Sequence, residues 1–151
     1  MSDQTAADLG NRAWQDEELY ISPRDRQVLR SLAQQVAELA SRPIEGEKRA
    51  LWYRHNALQR TRPLVFCDPE NGWNEIIRPS QLECQGKLGR TWEMRLRKEV
   101  FWGAEMQDDR VIVPCFDIAH VYSESDWGMH ETIIGGQDGG SYVWDAPLKR
   151  Y

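Results

Sequence analysis

The sequence has no basic excess: 19 Lys and Arg against 24 Asp and Glu leave a net charge of −5. Gripping a nucleic-acid backbone takes a clustered basic face, so no nucleic-acid partner is expected. There is no apolar run near the roughly eighteen residues of a membrane span. The opening stretch MSDQTAADLGNRAWQDEELY is acidic and has no apolar core, so it does not read as a secretory signal. Cysteine is scarce. Cys67, Cys84 and Cys115 lie far apart and suggest neither a disulfide framework nor a CxxC zinc knuckle. GGQDGG (135–140) lacks the GxGxxG spacing and the GK[ST] ending of a phosphate loop and reads as a hairpin turn. These absences predict a reduced, cytoplasmic protein with no nucleic-acid or membrane partner.

The chain has 151 residues, 40% of them hydrophobic, which suits one globular domain with a real core. Its seven tryptophans are scattered and read mostly as packing residues with one polar tip to satisfy. Residues 1–21 read as a flexible acidic leader. SPRD (22–25) is a helix start, with Ser22 as cap, Pro23 at the first helical position and Asp25 where a capping box wants an acid. The helix to about Ser41 puts Leu29, Leu32, Val36 and Leu39 on one face. A second helix, from about Pro43 to Leu58, has Ile44, Leu51, Trp52, His55 and Leu58 along one side. Its other side is charged (Glu45, Glu47, Lys48, Arg49, Arg54) and reads as solvated.

Pro63 forbids continued helix, and Leu64–Cys67 is a short apolar run closed by turn residues, the pattern of a buried strand. A third helix is predicted to run from Leu82 or Leu88 to Met106, with Leu88, Trp92, Leu96 and Val100 at helical spacing. Its Arg95–Glu99 pair reads as an ordinary surface ion pair. A second buried strand follows over Val111–Ile118, then a hairpin of Glu131–Ile134 with Ser141–Trp144. Apolar strands on either side of a helical crossover predict a parallel βαβ unit.

The stretch VIVPCFDIAHVYSESDWGM (111–129) resembles uroporphyrinogen decarboxylase-like proteins, in which an apolar strand ends in an Asp-Ile pair and a Gly-Met pair follows. Those pairs here are Asp117-Ile118 and Gly128-Met129. TRPLVFCDPENGW (61–73) is similar to the family's first strand and substrate-gripping loop, and TIIGGQDGGSYVWDAPLKRY (132–151) to its continuation. The likeness covers about Pro23 to Tyr151. It implies an α/β fold: a helical N-terminal leader and the first βαβ part of an incomplete (β/α)8, or TIM, barrel. Since a barrel needs roughly 250 residues, the expectation is a truncated member. Its parts would be a leader (1–21), a two-helix extension (22–61) and the first strands and helix of the barrel (62–151).

The resemblance also implies a chemistry. Asp117 takes the position of the decarboxylase's essential aspartate, which stabilises positive charge on the substrate. The substrate loop would supply Asp68, Asn71 and Trp73, with His120 close to Asp117. The decarboxylase, however, grips its acidic substrate with arginines just after the first strand. Here the loop carries Asp68, Glu70 and Glu75 and has no arginine before Arg78. Carboxylates do not bind carboxylates, so the corrinoid-linked methyltransferase branch is favoured over uroporphyrinogen III decarboxylation in porphyrin biosynthesis. For the complete protein, an enzyme, that branch implies zinc and a corrinoid; this chain would hold no metal of its own. Cys67, Cys115 and His120 match no trusted zinc spacing. A non-catalytic binding or assembly module is the reading from a different class. Alone, the chain is expected to be inactive.

Overall fold

The computed structural model describes residues 16–118, 132–135 and 141–145. Most of the acidic leader (1–15), His120 and the Gly128-Met129 pair lie outside those residues. In chain order the helices are α1 (Asp16–Leu19), α2 (Pro23–Ala40), α3 (Pro43–Asn56), α4 (Trp73–Ile76) and α5 (Lys87–Phe101). Tight 3-10 turns occupy Glu70–Gly72 and Pro79–Gln81, and a π-helical turn, Trp102–Met106, extends α5. The strands β1 (Thr132–Gly135) and β2 (Tyr142–Asp145) form an antiparallel hairpin that pairs Ile133 with Trp144 and Ile134 with Val143.

The expected βαβ unit is not there. Among the described residues the hairpin is the sheet, and neither Leu64–Cys67 nor Val111–Ile118 is a strand. The described residues are mostly helical, which overturns the α/β, TIM-barrel expectation. The reason lies in where the backbone donors go. One backbone bond reaches the first apolar segment from just ahead of the second, from Asp109 N–H to the Val65 carbonyl at 2.8 Å. The amides of Val65, Cys67 and Ile112 are instead taken by the side chains of Asp109, Asp108 and Glu45. Pro114 removes one more donor from the second segment. The apolar runs are held by acids rather than by each other.

Helix α2 begins as its sequence dictates. Ser22 Oγ accepts from Asp25 N–H at 3.0 Å, and Pro23 occupies the first position, where a missing N–H costs nothing. Its apolar face packs on α5 and places Leu29, Leu32 and Val36 in the core beside Leu96. Trp73 of α4, Trp102 and the fully buried Ile112 complete that core.

Helix α3 keeps its expected orientation only in part. Glu47, Arg49 and Arg54 are exposed and Leu51 and Trp52 half-buried, as expected, but Glu45 and Lys48, predicted to be solvated, are buried, and Ile44, His55 and Leu58 are exposed. The two buried charges face inward because each finds partners there. Glu45 meets Arg42 and the Ile112 amide, Lys48 Nζ donates to the Arg110 carbonyl, and Trp52 Nε1 donates to the Asp109 carbonyl. The helix ends in a Schellman-type turn, Leu58 N–H to His55 O and Gln59 N–H to Arg54 O. Leu58 there adopts a left-handed φ of 57°.

Candidate functional site

The carboxylates of the chain divide into two groups. Asp25, Glu45, Glu93, Asp108 and Asp109 are buried, and each accepts hydrogen bonds from backbone amides distant in sequence or across a turn. Glu93, inside α5, accepts from the amides of Glu83 and Cys84 and from Arg97 Nε. Asp25 stands where the capping-box acid was expected, yet its carboxylate reaches across to the amides of Gln85 and Gly86. Buried polar groups must be paired, and no buried side-chain N or O among the described residues lacks a partner.

The electrostatics follow from these contacts. Hydrogen bonding and charge from Arg62, together with the Val65 amide, hold the Asp109 carboxyl at about 2 against the resistance of burial. Burial alone would raise Asp25 and Glu93. The amides of Gln85 and Gly86 outweigh it for Asp25, and those of Glu83 and Cys84, with Arg97, for Glu93, so both carboxyls lie below their ordinary values. The neighbouring Cys84 thiol moves the other way. Burial first, and then the Glu93 carboxylate, push it up to about 12.

Asp117 belongs to the second group. Its residue is exposed, and among the described residues nothing engages its carboxylate. Its backbone is nevertheless fixed. Arg95 Nη1 donates to the Asp117 carbonyl at 2.8 Å, and the Arg95 guanidinium lies 4.5 Å from the Phe116 ring centre. Phe116 in turn packs edge-on against Trp92, with centroids 5.7 Å apart. The surface pair expected between Arg95 and Glu99 does not form, because Glu99 is held by Arg110. Arg95 was missed as a positioning residue because a four-apart acid supplied a plausible local partner.

The expected substrate loop is built differently from a ligand loop. Trp73 is buried at 3% exposure, between Phe101 and Trp102, and its indole N–H donates to Asp68 at 2.8 Å. Trp73 is therefore a core residue that fixes the loop, and Asp68 is the group that orients it. Asp68 also accepts from Glu70 N–H, supporting a turn in which Glu70 takes a left-handed φ of 50°. Asn71 is exposed in the same turn. Lys98 of α5 sits 5.3 Å over the Trp73 ring, with its ammonium lowered by burial and partly restored by the charge of Asp68. Asp68, Trp73 and Lys98 thus meet in one cluster. The structure does not bring Asp117 into contact with them.

Cys67 and Cys115 are exposed free thiols, and Cys84 is a buried one. Among the described residues no group of three or more His, Cys, Asp or Glu side chains is placed to hold a metal ion. No helix among them is long and apolar enough to cross a membrane. Comparison with known proteins found no matching family model, no matching curated protein and no matching solved structure.

Proposed function

We propose that this chain is the N-terminal portion of a uroporphyrinogen decarboxylase-like enzyme of the corrinoid-linked methyltransferase branch, inactive by itself, with Asp117 its contribution to the site. The supporting observation is the contrast among the acids. Five buried carboxylates are spent on backbone amides, whereas that of Asp117 is exposed at the end of an apolar segment whose backbone Arg95 fixes. A carboxylate so presented can meet a cation or a hydrogen-bond donor without first breaking a structural contact. Among the described residues no group of three or more His, Cys, Asp or Glu is placed to hold a metal ion, so no step through zinc is assigned to them.

The test compares the complete protein with the 151-residue chain. Methylcobalamin and a thiol acceptor are supplied, and demethylation is followed by the change in corrinoid absorbance. The complete protein is expected to turn over and the chain to be silent. Decarboxylation of uroporphyrinogen III without methyl transfer would contradict the reading.

A further inference from the structure

We propose that the groove between α2 and α5 binds an organic cation with an apolar body, an alkyl- or arylammonium, and that the Glu105 carboxylate takes the ammonium. The groove has a volume of about 560 Å³, within the range of small-molecule sites. Its apolar lining comes from Val28 and Leu32 of α2, Ile76 and Ile77 at the end of α4, and Val100 and Phe101 of α5. The Phe101 ring packs edge-on against the buried Trp73, so this lining is anchored in the core.

Polar groups run along its length. Gln27, Ser31 and Gln35 stand on successive turns of α2 and form a wall about 12 Å long, at 1.5 Å per residue. Their side chains have no hydrogen-bond partner among the described residues, so each can meet a ligand without breaking an internal bond. The two helices run in the same direction, since Asp25 approaches Gly89 and Leu39 approaches Gly103. The groove therefore leads from the Glu83–Arg97 pair to Ala104 and Glu105 at the Gln35 end. Those last two residues belong to the π-helical turn that extends α5, a distortion that recurs at functional sites.

Charge selects the head group. Arg97 is the one basic residue in the lining among the described residues, and its guanidinium is committed to Glu83 and Glu93. Arg42, which donates to the nearby Gly103 carbonyl, is committed to Glu45. Glu105 has no partner among the described residues. It also stands in the last turn of its helical run, where the end of the helix carries partial negative charge. A cation gains from both, and an anion is repelled by both. This inference stands apart from the methyl-transfer reading, because neither Asp117 nor the Asp68, Trp73 and Lys98 cluster lines the groove and its test reads binding.

Octylamine, octanol and octanoate share one apolar chain and differ in head-group charge. Titrated into the intact chain at neutral pH and followed by amide NMR shifts, octylamine is expected to move Ser31, Gln35 and Glu105. It should bind about fivefold more tightly than octanol, with octanoate weakest. Glu105→Gln should bring octylamine to the octanol value and leave octanol unchanged. Ala104→Trp fills the groove and should abolish binding of all three. Both positions are exposed, so helical circular dichroism should be unchanged in both variants. Equal affinities for the three probes, shifts confined to residues outside the groove, or no binding at all would overturn the proposal. So would an octylamine preference that survives Glu105→Gln.

Discussion

The carboxylate of Glu45, near the start of α3, accepts a hydrogen bond from the backbone N–H of Ile112 at 2.8 Å, across 67 residues of sequence. The same side chain meets Arg42 and Lys48. One buried acid thus explains why α3 turns Glu45 and Lys48 inward and why the segment at Ile112 is anchored without a sheet. The pattern recurs with Asp109 at Val65, Asp108 at Cys67 and Glu93 at Cys84.

Removing such an acid should be costly. In Glu93→Ala the amides of Glu83 and Cys84 lose their acceptor, at about 1–3 kcal/mol for each stranded group. Urea unfolding should show a lower midpoint with little change in slope. Glu93→Gln, which keeps an acceptor oxygen, should lose less.

The acids also set the response to pH. Asp109, Asp25 and Glu93 all have folded values below their ordinary ones, 3.8 for the aspartates and 4.5 for Glu93. In acid the unfolded chain takes up protons first, so the stability these groups supply is complete above those ordinary values. It is lost as pH falls through the folded values, which for Asp109 means from about 4 down to about 2. Thermal midpoints should be flat in this respect from pH 7 to about pH 5 and fall below about pH 4. Asp109→Asn should flatten part of that fall.

Thiol accessibility separates the cysteines. A neutral aromatic disulfide reagent should label Cys67 and Cys115 in the folded chain and reach Cys84 only in denaturant. Burial and the raised Cys84 pKa, at about 12, act in the same direction.

Leu58 ends α3 in a left-handed conformation with its side chain 95% exposed. Leu58→Gly removes the steric penalty of that conformation and no packing, and should stabilise the fold by up to about 1 kcal/mol in denaturant unfolding. Loss of stability would mean that Leu58 is covered in solution.

The helices were legible because their signals are local. Ser22, Pro23 and the spacing of Leu29, Leu32 and Val36 suffice for α2, and the Gly-rich connection suffices for the hairpin, each strand displaced by one residue from its expected bounds. The face of α3 was not legible, since Glu45 and Lys48 find their partners more than sixty residues away. The apolar runs at Leu64 and Val111 have the composition of buried strands, but composition does not say whether a carboxylate will take their amides first. Trp73, expected in a substrate loop from its place after the first apolar run, is buried in the core with its indole on Asp68, a contact that spacing alone does not reveal. At Asp117 the sequence pointed to an acid ending an apolar run, and the structure adds the Arg95 contact that fixes its backbone.

The functional account rests on Asp117 being free to meet a ligand while the buried acids hold the fold. The most direct measurement is methyl-transfer turnover of Asp117→Asn in the complete protein, read beside its thermal midpoint. The account predicts an unchanged midpoint and turnover reduced by about 10²–10³-fold, the scale of losing one electrostatic stabilising group. Undiminished turnover, or a midpoint that falls as far as that of a buried-acid variant, would contradict it.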